Sequence, residues 1–160
     1  YIQGEPKHYA RTLGPLPETL AASAARMNGW MAARYGLAAP AFADHSGLGY
    51  GSLVSAQDMV RILAGAPRIA PLMEEIRVRD DGFAVRAKTG TLNFVSALAG
   101  YVTPPGGAPA VFAIFCADTA RRDAIPPEQR ERPQGARSYA NRARTLQKDL
   151  IRRWIAEYGA

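Results

Sequence analysis

The sequence has few of the residues that build disulfides or metal centres. Its 160 residues include one cysteine, Cys116, and two histidines, His8 and His45. A single cysteine cannot form a disulfide within the chain, and no set of His, Cys or Asp residues has metal-site spacing. Cys116 sits in an apolar run, which predicts a small buried side chain. No glycine-rich phosphate loop precedes a helix, so we expect neither a metal nor another cofactor.

Long hydrophobic runs are also missing. No stretch reaches the roughly 18 apolar residues of a membrane span, so we expect no transmembrane segment. The residues that follow Tyr1 are polar and basic and do not resemble a signal peptide, which a processed chain would have lost. The formal net charge is +6, but no stacking aromatics are interleaved with the basic residues. This pattern favours a solvated basic surface over a nucleic-acid site.

Apolar residues make up 48% of the chain, which indicates a globular domain, and their periodicity predicts helices. Gly36 is placed to cap the first helix and Ser55 to start the second. The expected helices cover residues 18–35, 55–64 and 138–158, with a short helix or turn at 70–76. The expected core positions of the last helix are Ala143, Leu146, Leu150, Trp154 and Ile155.

The centre of the chain has the pattern of strands. Strands are expected at residues 83–91, 93–102 and 110–117, and the continuous apolar run of the third predicts burial on both faces. Asp80-Asp81-Gly82 and Pro104-Pro105-Gly106-Gly107 are turn signals. A polar loop with three prolines is expected at 121–135. The order of elements predicts an α+β fold, in which a three-stranded antiparallel meander near residues 83–117 is flanked by helices.

The run Lys88-Thr89-Gly90-Thr91, called the tetrad below, places a cation, two hydroxyls and a bare backbone side by side in a predicted strand. In a regular strand Lys88 and Gly90 lie on one face and the two threonines on the other. Lysine attracts anions, and threonine hydroxyls donate to carboxylate oxygens. Gly90 lets a ligand approach the backbone, and a free strand edge lets a peptide add as a further strand. Alone, such a run is also typical of an exposed strand that ends at a turn.

Two segments together resemble one enzyme family. Residues 87–102 (AKTGTLNFVSALAGYV) are similar to the Lys-Thr-Gly region of D-alanyl-D-alanine carboxypeptidases of the penicillin-binding protein 4 type. Upstream, Asp44-His45-Ser46-Gly47-Leu48 resembles the Asp-x-Ser-Gly-Leu loop of that family, and Val54-Ser55 resembles the helix start that follows it. The resemblance covers residues 18–158, whereas residues 1–17 match the family poorly.

The resemblance implies a partial β-lactamase/transpeptidase-like fold, of which residues 18–160 form the C-terminal part. In the family, the serine of a Ser-x-x-Lys motif attacks the D-Ala-D-Ala carbonyl, the lysine acts as base, and water deacylates the enzyme. By resemblance, Lys88, Thr89 and Gly90 form the third catalytic motif. Lys88, Thr89 and Thr91 then bind the terminal carboxylate of a peptidoglycan stem peptide or a β-lactam. A periplasmic or cell-envelope location is also implied.

The other two motifs of the family, Ser-x-x-Lys and Ser-x-Asn, are missing. Neither begins at any of the six serines, Ser23, Ser46, Ser52, Ser55, Ser96 and Ser138. We therefore expect a C-terminal piece of a longer enzyme that has no nucleophile and is inactive alone. Ser46 is a poor replacement, because the side chain of His45 should point elsewhere in an extended segment. Both histidines are interpreted as surface or loop residues.

Three functional hypotheses follow from these patterns. The first is a fragment of a cell-wall DD-peptidase, with carboxypeptidase and endopeptidase activity left open because they share these motifs. The second is a non-catalytic scaffold of the same fold that binds peptidoglycan or a partner chain. The third, a nucleic-acid-binding domain, rests on charge alone and predicts steep salt dependence. If a missing half normally covers the sheet, the fragment should expose an apolar patch or self-associate.

Overall fold

A computed structural model describes residues 19–38, 41–45, 51–78, 82–131 and 133–158 of the chain. The chain forms two compact units, residues 1–65 and 66–160. The poorly matching segment 1–17 lies outside the described residues, as do Ser46-Gly47-Leu48 of the Asp-x-Ser-Gly-Leu resemblance and Asp80-Asp81 of the predicted turn. None of the helices in the described ranges combines the length and apolarity that crossing a membrane requires.

The first described element is helix α1, Leu20–Tyr35. It begins where the Thr19 hydroxyl accepts a hydrogen bond from the amide of Ala22 at 3.1 Å. It ends at Gly36, whose φ of +62° is the left-handed conformation that glycine adopts at low cost. The predicted glycine cap is therefore confirmed.

The second helix, α2, spans Ala56–Gly65. The predicted start is confirmed, because the Ser55 hydroxyl accepts a hydrogen bond from the Asp58 amide at 3.0 Å. At its other end Gly65 packs against Tyr35, since an added Cβ would lie 2.6 Å from the tyrosine ring. Close packing of α1 and α2 thus requires a residue without a side chain at the end of α2.

The second unit contains a four-stranded antiparallel sheet with the order β1-β2-β3-β4. Its strands are β1 (Glu74–Glu75), β2 (Ala84–Leu92), β3 (Val95–Thr103) and β4 (Ala110–Ala117). The predicted α+β class and the antiparallel meander are confirmed. A 3-10 helix at Pro67–Leu72 and strand β1 occupy the segment where a short helix or turn was expected at 70–76. The two residues of β1 are too few for a periodic signal.

Tight turns connect the three longer strands. Asn93 and Phe94 link β2 to β3, so β3 begins two residues later than the expected strand at 93–102. The predicted hairpin between β3 and β4 is confirmed by the hydrogen bond from the Gly107 amide to the Pro104 carbonyl at 3.1 Å. Gly106 has a φ of +68°, a conformation that favours glycine in this turn.

The last helix, α4, spans Ala136–Tyr158 and packs on one face of the sheet. Its Ile151 and Ile155 are buried in a cluster with residues of the sheet unit, namely Val78, Val85, Ala87, Leu98, Phe112 and Ile114. Burial of these apolar side chains is the main stabilising contribution that the sequence offers in this unit.

Two burial predictions were wrong. Strand β4 was expected to be buried on both faces, but it lies at the sheet edge and its burial alternates, so that Phe115 is 36% exposed. On α4, Leu146 is 51% exposed, whereas the neighbouring Gln147 is buried. Gln147 takes the core position because its amide donates to the backbone carbonyl of Ser96 at 3.0 Å. A buried amide is tolerated when its hydrogen bonds are satisfied.

A polar loop was expected at 121–135 because the stretch contains three prolines. The structure has two short helical segments within or overlapping this range. A short helix, α3, covers Thr119–Asp123, and a 3-10 turn covers Pro127–Gln129. Asp118 starts α3 because its carboxylate accepts a hydrogen bond from the Arg121 amide at 3.0 Å. Proline at the first position of a 3-10 turn starts that turn rather than breaking it.

Candidate functional site

The tetrad occupies the second half of strand β2. Val85 and Ala87, in the first half, are buried in the core, whereas all four residues from Lys88 to Thr91 are exposed. The transition comes where the sequence changes from apolar to polar. The tetrad therefore lies at the protein surface, on a strand that is fixed in place by its buried half.

The strand register decides which face each side chain of the tetrad occupies. Thr89 lies opposite Leu98 and Thr91 opposite Ser96, and both partners are buried on the α4 side. Directly opposed residues in antiparallel strands share a face, so both threonines lie on the α4 face. Lys88, which lies opposite Ala99, falls on the other face with Gly90. The predicted alternation is confirmed.

The outer edge of β2 is only partly covered. Strand β1 pairs with Arg86 and Ala87, and the Arg86 guanidinium reaches the Glu75 carboxylate at 3.3 Å. In the described part of this unit, no strand pairs with the outer edge from Lys88 onward. Every second residue of the tetrad therefore directs its backbone N–H and C=O to an unpaired edge, which is the geometry that strand addition requires.

Two further features keep the tetrad open to a ligand. The Lys88 ammonium donates to the carbonyl of Thr89 at 3.0 Å and is otherwise exposed. Among the described residues, a Cβ added at Gly90 would meet only Ala97, at an ordinary contact distance of 3.4 Å. Because neither packing nor a positive φ requires glycine here, the glycine makes room on the surface of the strand.

The turn after the tetrad is held by a cluster that we call the turn clamp: Asn93, Phe94, Arg121 and Tyr139. Phe94 is 2% exposed and has a φ of +55°, which is uncommon for a residue with a bulky side chain. The Arg121 guanidinium lies 4.3 Å from its ring centroid, and the Tyr139 ring meets it edge-on at 5.8 Å. Asn93 donates to the backbone carbonyl of Arg130 at 2.6 Å.

The turn clamp was not foreseen from the sequence, because its members are separated by up to 46 positions (Asn93 to Tyr139). The only local signal was Asn93, a residue type that favours turns. Its effect is to fix the position of Thr91, which lies three residues before Phe94. The clamp is thus a positioning element for the C-terminal end of the tetrad.

The other segment of the resemblance lies in the first unit and is partly described. His45 is exposed, as expected, and its Nε2 lies 2.7 Å from the Ser23 hydroxyl on α1. Asn28 holds the same segment through two hydrogen bonds of 2.9 Å to the backbone of Phe42. These contacts attach residues 41–45 to α1. Ser46 lies outside the described residues.

Metal binding and cysteine chemistry receive no support from the described residues. Within them, no group of three or more His, Cys, Asp or Glu side chains could hold a metal ion. Cys116 is half-buried rather than fully buried, and burial raises the pKa of its thiol above the usual value. A raised pKa lowers the thiolate fraction at neutral pH, which makes the thiol less reactive.

Comparison with known proteins identifies one family. A model of the D-Ala-D-Ala carboxypeptidase 3 (S13) family matches residues 16–134. The match includes the tetrad, the turn clamp up to Arg121, and the Asp44–Leu48 segment, and it ends before α4. Among curated proteins, none matches the chain.

Proposed function

The chain belongs to the D-Ala-D-Ala carboxypeptidase 3 (S13) family, and from that premise we propose that its tetrad binds the terminal carboxylate of a D-Ala-D-Ala peptide. The observation that carries the proposal is the position of the tetrad, exposed along the part of β2 that β1 leaves unpaired. A family of D-Ala-D-Ala carboxypeptidases acts on peptidoglycan, so the substrate class is a stem peptide of the cell wall.

The edge of β2 supports a specific mode of binding. A peptide that adds as an extra strand would exchange backbone hydrogen bonds with residues 88–92. Lys88 supplies the charge that attracts the carboxylate, and a threonine hydroxyl supplies a donor. Gly90 leaves the surface beside the strand open to the peptide. In this proposal Lys88, Thr89, Gly90 and Thr91 have the roles that the Lys-Thr-Gly motif implies.

We further propose that the nucleophile comes from outside these 160 residues. None of the serines in the chain begins Ser-x-x-Lys or Ser-x-Asn. The acyl-enzyme would form on a serine of another segment, with lysine as base and water as the deacylating nucleophile. Residues 18–160 then supply the C-terminal part of a penicillin-binding protein 4 type domain, which acts in the periplasm or cell envelope and reacts with β-lactams when complete.

A second candidate function is a non-catalytic scaffold of the same fold that binds peptidoglycan. The observation that favours it is again the missing Ser-x-x-Lys motif. The two candidates share the carboxylate site and differ in whether a nucleophile joins it. The coding sequence next to these residues distinguishes them, because a Ser-x-x-Lys motif in the same reading frame supports the enzyme.

The carboxylate site is tested by calorimetric titration of the chain with a synthetic peptide that ends in D-Ala-D-Ala. Lys88→Met should weaken binding about 10- to 100-fold, since a hydrogen bond to a charged group is lost. Lys148→Met removes the same charge from an exposed position on α4 and should leave the affinity unchanged. Equal affinities for the wild type and Lys88→Met would overturn the assignment.

The missing nucleophile is tested with a fluorescent penicillin, followed by a denaturing gel. The isolated chain should carry no covalent label, because loss of a catalytic serine removes several orders of magnitude of rate. A complete enzyme of the class serves as the positive control. A labelled band from this chain that disappears on prior heating would show that the chain holds its own nucleophile.

A further inference from the structure

The segment that leads into strand β1 does not pair with β2. We call residues 67–73 the strap: it consists of the 3-10 helix Pro67–Leu72 and of Met73, which is extended, with a φ of −87° and a ψ of 149°. The Met73 amide donates to the carbonyl of Ala70 at 3.1 Å and so closes the last turn of the helix. Strand β1 begins with the residue after Met73. The strap therefore decides where the pairing of β1 with β2 stops.

The register of β1 shows what the strap would meet if it were extended. Glu74 lies opposite Ala87. The same antiparallel line places Leu72, two residues earlier, opposite Thr89, and a further two residues reach the level of Thr91. An extended strap would therefore cover the edge of the tetrad to which the proposed peptide adds.

The backbone groups that face this edge belong to every second residue of β2. The Ile76 amide donates to the carbonyl of Val85 at 2.8 Å, so Val85 directs its backbone to the β1 side. Hydrogen-bonding direction alternates along an antiparallel strand, so Thr89 and Thr91 direct their N–H and C=O groups to the same side. No strand in the described ranges pairs with them there. The strap and an added peptide would compete for these groups.

The sequence of the strap is compatible with a strand as well as with a 3-10 helix. Pro71 would lie opposite Gly90, at a position where its missing N–H faces away from β2, as edge strands allow. Ala70 precedes a proline and is therefore biased towards extended conformations. Leu72 is 79% exposed. In the extended register it would share the face of Ile76, which packs against the core.

Tyr101 on β3 holds the residue that precedes the strap. It is 2% exposed, lies opposite Arg86, and donates its hydroxyl hydrogen to the carbonyl of Ala66 at 2.9 Å. Thr91 is five residues beyond Arg86 along β2, about 17 Å away. The four steps from Ala66 to Ala70 span at most about 14 Å. While Ala66 is bound to Tyr101, the strap is thus too short to pair with the edge as far as Thr91.

We propose that Tyr101 is a positioning residue for the ligand edge of β2, because its hydroxyl keeps the strap in the 3-10 form and leaves the tetrad unpaired. The proposal rests on the proposed function, from which it takes the added peptide. A tethered strap could form only the pair Leu72–Thr89, which does not compensate for the hydrogen bonds of the 3-10 helix. A released strap would also pair with Thr91 and would compete with the peptide. The apparent affinity then falls with the fraction of molecules whose edge is open.

The test removes only the hydroxyl group, with Tyr101→Phe. Hydrogen exchange at the amides of Thr89 and Thr91, followed by NMR, should become about fivefold slower, because these amides become paired. Calorimetric titration with a peptide that ends in D-Ala-D-Ala should give an affinity that is lower by the same factor, about fivefold, because both quantities follow the open fraction. Unchanged exchange at both amides would overturn the inference.

The double variant Tyr101→Phe/Leu72→Pro separates closure of the strap from a general loss of stability. The new proline lacks the N–H that would pair with the carbonyl of Thr89, so fast exchange and wild-type affinity should return. Tyr158→Phe removes a hydroxyl from an exposed position of α4 and should change neither quantity. If the double variant binds the peptide as weakly as Tyr101→Phe does, Tyr101 acts through stability alone and the inference is wrong.

Hydrogen exchange judges the strap even if the wild-type chain binds no D-Ala-D-Ala peptide, a result that would count against the proposed function. Slower exchange in Tyr101→Phe that is reversed in the double variant would still support pairing of the strap with the edge. If the wild-type chain binds the peptide and Tyr101→Phe binds it equally well, the inference is overturned and the tetrad assignment stays intact.

Discussion

The two halves of strand β2 differ in what surrounds them. The first half, with Val85 and Ala87, is buried in the core, and β1 pairs with its outer edge. The second half, from Lys88 to Thr91, is exposed, and β1 does not extend along it. The stability of the fold therefore depends on the first half of β2. The second half of the strand has a sequence that the fold does not require.

Two glycines on the paired strands β2 and β3 show the same difference. Gly100 lies opposite Ala87, and a Cβ there would overlap the backbone carbonyl of Arg86 and lie 2.6 Å from the Ala87 Cα. At Gly90, within the part of the chain that the structure describes, an added Cβ would meet only Ala97, at an ordinary contact distance. Glycine is thus demanded by packing in the buried half. In the exposed half it needs another explanation, and the approach of a ligand supplies one.

The largest effect is expected for Gly100→Ala. The added methyl group must displace the backbone of β2, so we expect a loss of about 3 kcal/mol in the free energy of unfolding, the upper end of overpacking effects. Urea unfolding followed by circular dichroism measures it. Gly90→Ala is the control and should change stability by less than about 0.5 kcal/mol. Similar losses in the two variants would contradict the division of β2 into two halves.

A smaller loss is expected for Gln147→Leu. This change removes the hydrogen-bond partner of the Ser96 hydroxyl and leaves that buried hydroxyl unsatisfied, which costs about 2 kcal/mol. The same urea experiment measures the loss, and Lys148→Leu, at the exposed neighbouring position, should change stability little. If Gln147→Leu leaves the midpoint of urea unfolding unchanged, this buried amide contributes nothing to the packing of α4 on the sheet.

Gly90→Ala should affect binding rather than stability. The methyl group would occupy the surface that the proposed peptide approaches, so we expect affinity for a D-Ala-D-Ala peptide to fall about tenfold. Gly29→Ala, on α1 where an added Cβ meets no atom of the described ranges within 4 Å, should leave affinity unchanged. If the Gly90→Ala variant binds the peptide as tightly as the wild type does, the approach of a ligand does not explain why position 90 is glycine.

The smallest effect is expected for Arg121→Met, which keeps the length of the side chain and removes its charge above the Phe94 ring. The lost cation–π contact should cost about 1 kcal/mol of stability. Faster hydrogen exchange at the amides of Asn93 and Phe94 should accompany it, because the turn clamp is weakened. Arg153→Met on α4 is the control. Equally slow exchange at the amides of Asn93 and Phe94 in both variants would show that the turn is stable without the Arg121 contact.

The sequence predicted the elements that depend on local signals. Gly36 and Ser55 end and begin helices through contacts within a few residues, and Pro104 to Gly107 form their turn in the same way. The bounds of β4 also agree with its apolar run, Ala110–Ala117. Such signals need no knowledge of the rest of the fold, which is why they were reliable.

Long-range contacts explain the errors. Leu146 was expected in the core in place of Gln147, but Gln147 bonds to Ser96, which is 51 residues away. Full burial was expected for β4 because its run is apolar throughout, yet the strand lies at the sheet edge. Hydrophobicity alone does not tell how many faces of a strand are covered.

The candidate site was predictable only in part. Alternation along a strand fixed the faces of Lys88 and Thr91, and the register bears this out. Nothing local indicated that Arg121 packs on Phe94, or that Arg137 and Arg144 line one cavity with Thr91. Those groupings depend on how α3 and α4 pack against the sheet.

The most direct test of the carboxylate site is an amide NMR titration of the chain with a peptide that ends in D-Ala-D-Ala. We expect chemical-shift changes concentrated at residues 88–92, and we expect these changes to be lost when the C-terminal carboxylate of the peptide is converted to an amide. Chemical-shift changes that are equally large with the amidated peptide would contradict a carboxylate site at the tetrad. Unchanged resonances of residues 88–92 in the titration would contradict it as well.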